Sequence, residues 1–297
     1  KFNNVSMFKI SPLRKRQFFG AIIGLILGIP LVYVLTLDTS EEYVSIGPMN
    51  TGHDDLKCFA CHADAKGNLF QQGGPRVAML YPSPYRAGMS SLGYQWIISR
   101  LAQEGLSVER VFLPDNPKQW KGPLLSYETQ TPLSHFPVIG ISLAYELELA
   151  GMIQCLEQSG IPALREHRND SRIILGGPLT FSNPLPAAPF VDAILLGEAE
   201  EVVGQAFSSA FHSSRSEWFS TLSSLPGAFI PEEHGEKLPE IAKASDDMLP
   251  ARSHIVTPHA ELSNMFLIEG ERGCHRSCTF CVMRRSTNGG MRLVTPE

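Results

Sequence analysis

The sequence lacks any excess of positive charge: 25 lysines and arginines face 30 aspartates and glutamates, a net charge of -5 over 297 residues. Such a chain casts no basic field to steer nucleic acid, which is therefore not an evident partner. Cysteine is also scarce. The six present fall into a pair (Cys58, Cys61), a single (Cys155) and a triple (Cys274, Cys278, Cys281). A disulfide framework would scatter an even set along a small loop-rich chain, so this grouping points to bound cofactors instead. Long hydrophobic runs are absent after residue 37, and no second membrane span is expected. What remains, 43% hydrophobic and 19% charged residues, suffices for a sizeable core in more than one unit. The chain opens on Lys1 without an initiator Met and ends soon after Cys281, so both ends read as truncated.

Residues 18–37 form an uncharged, mostly apolar run, long enough for a transmembrane helix across a core of about 30 Å. Pro30 need not break it, because transmembrane helices re-satisfy the carbonyl that a proline frees. No A-x-A cleavage site follows, which argues against a cleaved signal peptide. Lys1, Lys9, Arg14, Lys15 and Arg16 precede the run and acids follow it, so the positive-inside rule puts the basic N-terminus, residues 1–17, in the cytoplasm. Residues 38–72 then carry Cys58-Phe-Ala-Cys61-His62, the C-x-x-C-H pattern in which two thiols anchor haem c and the imidazole binds its iron. A structural zinc would need four ligands, and no nearby second pair supplies them. Residues 1–72 resemble the membrane anchor and first haem segment of multihaem cytochromes c. That resemblance implies a membrane-anchored electron carrier, with Met49 and His53 both open as the distal haem ligand.

From Pro75 the pattern changes to apolar strands alternating with helices. Strands are predicted at 76–81, 108–113, 138–142, 172–175 and 192–196, with helices at 92–103 and 146–158 and a last helix starting at Gly197-Glu198. The fold class is α/β, a doubly wound, Rossmann-like parallel sheet over residues 75–211, whose ligand crevice lies beyond the carboxyl ends of the strands. Gly176 and Gly177 either let a ligand approach the backbone or simply end a strand. Cys155, in an apolar helical run, reads as a buried, inert thiol. Residues 212–260, polar and containing Leu225-Pro-Gly, read as a linker.

Asn264-Met-Phe-Leu-Ile-Glu269 is predicted to be a short strand that runs into Gly270-Glu-Arg-Gly-Cys-His-Arg-Ser-Cys-Thr-Phe-Cys281. Three thiolates spaced C-x3-C-x2-C can hold three irons of a cubane cluster and leave the fourth open for chemistry, whereas an electron-transfer cluster normally takes four cysteines. His275 sits too tightly between the cysteines to be an obvious fourth zinc ligand. Arg284 and Arg285 could meet a bound carboxylate or phosphate, or simply be solvated.

The triple, with Phe280 directly before its last cysteine, resembles the signature of radical SAM proteins. The residues upstream resemble the cobalamin-binding-like domain that precedes the barrel in a large group of them: Tyr81-Pro-Ser-Pro-Tyr-Arg-Ala-Gly-Met-Ser-Ser-Leu-Gly93, Val138-Ile-Gly-Ile-Ser-Leu-Ala-Tyr-Glu146, Gly176-Gly-Pro178 with Asn183-Pro184, and Val191-Asp-Ala-Ile-Leu-Leu-Gly-Glu198. The resemblance implies a 4Fe-4S cluster on Cys274, Cys278 and Cys281, with S-adenosylmethionine on the open iron and a low-potential electron donor as partner. It further implies a cobalamin site at Ser83, Gly176, Gly177, Gly197 and Glu198, and the start of a truncated α/β barrel at 261–297. The D-x-H-x-x-G motif that brings a histidine to cobalt is absent, which leaves open cobalamin bound without that ligand or not bound at all. Haem attachment outside the cytoplasm conflicts with a radical domain that needs cytoplasmic S-adenosylmethionine. Three accounts reconcile the halves: an inverted span, an unused C-x-x-C-H motif or, favoured by the abrupt change of resemblance, two coding fragments joined near Gln72-Gly73.

Overall fold

The computed structural model describes residues 74–276, 278–281 and 291–294. The predicted span 18–37, the haem-type Cys58, Cys61 and His62, and Arg284 and Arg285 lie outside the described residues. Among the described residues, no helix is long and apolar enough to cross a membrane.

Five parallel strands form the sheet: β1 (Arg76–Tyr81), β2 (Ser107–Phe112), β3 (Val138–Ser142), β4 (Arg172–Gly176) and β5 (Ala193–Leu195). A short antiparallel β6 (Ala228–Phe229) completes the spatial order β2-β1-β3-β4-β5-β6. Helix α1 (Leu92–Gln103) connects β1 to β2, and α2 (Glu148–Gln158) connects β3 to β4. Helices α3 (Val203–His212) and α4 (Arg215–Ser223) connect β5 to β6. Chain order reverses at the β1/β3 pair, the switch point at which doubly wound sheets open a crevice.

Alternation along the strands builds a core on each face. Val77, Met79, Ile174 and Leu195 pack with Tyr94 and Leu101 of α1, Phe207 of α3 and Trp218 of α4. Their neighbours Ala78, Leu80, Ile173 and Ile194 face Met152, Cys155 and Leu156 of α2. A parallel sheet covered on both faces reads as near-continuous apolar strands, as these do. Cys155 is fully buried, and burial pushes its thiol well above the ordinary range. Ser91 caps α1, its hydroxyl accepting the Tyr94 N–H at 3.4 Å.

Packing on the α1/α3 face is tight at Gly140 on β3. A Cβ there would stand 2.3 Å from Met79 Sδ and 2.7 Å from the Phe207 ring. Gly140→Ala is therefore expected to cost about 1–3 kcal/mol through overpacking, read as a lower denaturant midpoint at unchanged m-value. An unchanged midpoint would mean that α3 can move aside freely.

Three expectations need correction. No helix starts at Gly197-Glu198: the pair forms the loop after β5, and α3 begins at Val203. The stretch 212–260 is not simply a linker, because α4 and β6 belong to the sheet domain and Trp218 is fully buried. The segment 264–269 does not open a parallel barrel among the described residues. Asn264 has φ +56°, Ile268 forms an isolated antiparallel bridge with Arg252, and the Glu269 N–H donates to Ala251 O at 2.9 Å. A two-residue strand β7 (Glu271–Arg272) then pairs antiparallel with β8 (Arg292–Leu293).

Candidate functional site

At the carboxyl edge of the sheet, between β1, β3, β4 and β5 and helices α1 and α3, lies a cavity of about 320 Å³. Ser142, Gly176, Gly177, Gly197 and Glu198 line its rim, and Met79, Trp96, Ile174, Leu195 and Phe207 supply apolar wall. Its size and largely apolar lining suit a small ligand or one arm of a larger one.

Two glycines shape the rim by necessity. Gly177 has φ +100°, and a Cβ on it would stand 2.6 Å from Leu143 O; Gly197 has φ +92°, with the same atom 2.5 Å from Ala242 O. Neither position tolerates a side chain without strain. Gly176 differs, since an added Cβ meets nothing within 4 Å. Trp96, on the cavity wall, is 93% buried, yet its indole N–H has no acceptor. A buried donor without a partner costs about 1–3 kcal/mol, which a ligand acceptor would recover. His254 stacks on that ring at 5.9 Å between centroids, and burial, then the Arg252 charge, holds its imidazole below the ordinary range.

The polar wall is a network of charges. Arg272 Nε donates to Glu269 Oε1 at 2.7 Å, and its Nη1 lies 2.6 Å from Glu200 Oε1 and 3.7 Å from Glu198 Oε2. Arg292 Nη2 donates to both carboxylate oxygens of Glu198, and its Nη1 donates to Ala244 O at 2.7 Å and Asp246 Oδ1 at 3.2 Å. Burial alone would lower the Arg272 guanidinium, but Glu269 and Glu200 outweigh it and raise it above its ordinary value.

Arg272 also places the cysteine loop. It lies two residues before Cys274, and Gly273 between them turns at φ +97°. Cys274, Cys278 and Cys281 are free, partly exposed thiols. The Arg276 N–H donates to Cys274 Sγ at 3.4 Å, and the Cys281 N–H to Cys278 O at 3.3 Å. Among the described residues, no three His, Cys, Asp or Glu side chains converge as a ready metal site. The donor set nonetheless fits a cluster by its chemistry: three thiols lie within one short loop.

The structure therefore brings Gly176, Gly177, Gly197 and Glu198 to one cavity and leaves Ser83 out. Ser83 Oγ instead donates to Glu148 Oε1 at 2.9 Å, tying the β1–α1 loop to the start of α2. Sequence reasoning missed Trp96, Glu200, Arg272 and Arg292. The signal available was Glu198-Ala-Glu200 directly after a buried strand, since two acids at a buried edge demand cations.

The fold is an α/β domain of the doubly wound kind with a cavity at the carboxyl edge of its sheet. Residues 93–231 match the family described as radical SAM proteins, N-terminal. A curated relative, an uncharacterized protein of Methanocaldococcus jannaschii, is 26% identical over 216 residues, covering 70% of this chain and 41% of its own length. The chain thus spans about two fifths of that relative. Among solved structures, the radical S-adenosylmethionine methyltransferase TsrM from Kitasatospora setae is similar in two states. One, with tryptophan substrate and a SAM analog bound, has a TM-score of 0.43 at 11% identity. The other, with cobalamin and a 4Fe-4S cluster bound, has a TM-score of 0.45 at 12% identity. Each comparison covers 74% of this chain and 43% of TsrM.

Proposed function

We propose that this chain is the cofactor-binding domain and cysteine loop of a radical SAM enzyme. In this reading Cys274, Cys278 and Cys281 hold a 4Fe-4S cluster, and the cavity at Gly176, Gly177, Gly197 and Glu198 receives part of a cobalamin. The Arg272 contacts carry it, because the residue that begins the cysteine loop is bonded into the cavity wall through Glu198 and Glu200. When bound, a cluster with one open iron supplies one-electron reduction of S-adenosylmethionine.

This chain's own residues do the holding and orienting. Three thiolates ligate, Arg272 fixes the base of their loop, and Gly176 leaves room at the rim. The Trp96 indole N–H offers a donor, and the apolar wall excludes water. A cytoplasmic setting, with a low-potential electron donor as partner, goes with this chemistry.

Anaerobic reconstitution of the 297-residue chain with iron and sulfide tests the proposal. About four irons and four sulfides per chain are expected for a three-thiolate cubane, and Cys274→Ala, Cys278→Ala and Cys281→Ala should each abolish retention. Equal iron in the variants would sink it.

A further inference from the structure

A second cavity opens at the opposite, amino-terminal edge of the sheet. It measures about 630 Å³ and is lined by four arginines, Arg165, Arg168, Arg172 and Arg215, with Glu166 and Glu232 the carboxylates on its wall. Arg172 is the first residue of β4 and Gly176, at the rim of the first cavity, is the last. At the rise of a parallel strand the two sites stand about 13 Å apart along the backbone.

The guanidiniums are held in place while being only partly neutralised. Arg172 donates to Ala210 O and Ser213 O at 2.6 Å each and lies over the Trp218 ring at 5.1 Å, so its partners are uncharged. Arg168 donates to the carbonyls of Pro162, Ala163 and Phe190, and shares the fully buried Asp192 with Arg215. Glu232 approaches Arg165 at 3.4 Å and Arg215 at 4.0 Å, but its side chain is 56% exposed, where an ion pair contributes little. Glu166 stands 3.6 Å from His167 Nε2. Four cations therefore face one buried and two exposed acids.

Two further observations ask for an anion. The Arg168 side chain is 1% exposed, and its Nε is buried with no partner. Burial first, and then for Arg172 the neighbouring Arg215 charge, lowers the Arg172 guanidinium from its ordinary value. Arg168 is lowered likewise by burial, with Asp192 opposing and Arg215 and Arg165 adding to the effect. The planar guanidinium fork is the side chain best matched to phosphate oxygens.

We propose that this arginine-lined cavity binds an oxyanion of the phosphate class, either free or as the phosphoryl end of a small metabolite.

Calorimetric and thermal-shift titrations of the full 297-residue chain test it, with inorganic phosphate, pyrophosphate and a nucleoside diphosphate at ionic strength fixed with sodium chloride. Saturable binding of pyrophosphate is expected, accompanied by a rise in Tm. Arg165→Gln, at the solvent side, should weaken it about tenfold by removing one charge-assisted partner, while Glu232→Gln should tighten it by removing a competing acid. A nucleoside diphosphate bound at least as tightly as pyrophosphate would identify a nucleotide as the source; tighter pyrophosphate would identify the free anion. Stabilisation no greater than chloride gives, or equal affinity in the wild type and both variants, would overturn the proposal.

Discussion

Arg272→Met is expected to lower folding stability by about 3–5 kcal/mol, because it leaves buried carboxylates without their shared cation. Glu198, Glu200 and Glu269 are each nine-tenths buried or nearly so, and among the described residues Arg272 and Arg292 are the guanidiniums bonded among them. Removal of Arg272 leaves three acids against one inner arginine. Arg272→Lys should cost less but not nothing, since an ammonium cannot reproduce the fork that engages Glu269 through Nε and Nη2. The pH dependence has a definite sign. A guanidinium raised above its ordinary value contributes fully below that value, and its contribution is lost only as pH rises through the raised one. The contribution of Arg272 should therefore be flat across the neutral range. Urea unfolding of the wild type and Arg272→Met at neutral pH measures the loss; a difference below about 1 kcal/mol would place those carboxylates in contact with solvent.

The second large effect is expected at the other edge of the sheet, where Asp192→Ala should cost a similar amount, about 3–5 kcal/mol. Asp192 is fully buried and accepts from the Ile173 N–H at 2.7 Å, from Arg168 at 3.2 Å and from Arg215. Its removal strips the carboxylate from Arg168 and an acceptor from the β4 backbone together. Asp192→Asn keeps an acceptor while losing the charge, and should fall between wild type and alanine. Arg272 and Asp192 share no partner, so the losses in the double variant should add to within about 0.5 kcal/mol. Equilibrium unfolding of the four species tests this, and a large coupling would show that the two edges do not act independently.

The parts of the fold that were legible in the sequence are those with strong local signals. Arg76–Tyr81 and the helix near Leu92–Gln103 were readable because an apolar strand is followed by turn residues and then by a helical apolar stripe. Helix α4 was not, because its apolar residues Trp218, Phe219 and Leu222 are too few to set a clear period. The signal it did carry was the capping box of Ser214 and Glu217. Strand β6 spans two residues and is defined by its pairing with β5, which no local pattern encodes. Gly177 and Gly197 stood out at strand ends, where their positive φ admits glycine and little else. The charged wall was not legible: Arg272 and Arg292 find Glu198 only once the chain has folded across the sheet edge. Ser83 was misplaced because a hydroxyl in a glycine- and proline-rich loop serves a ligand or a neighbouring helix equally well, and here Glu148 takes it.

The proposed cluster, held by three thiolates with one iron left open, is read out by ⁵⁷Fe Mössbauer spectroscopy of the anaerobically reconstituted 297-residue chain. The expected spectrum is that of a four-iron cluster in which one site differs from three thiolate-bound sites and alone responds to an added small chelating ligand. A spectrum of mononuclear iron, or of four equivalent sites indifferent to the chelator, would contradict it.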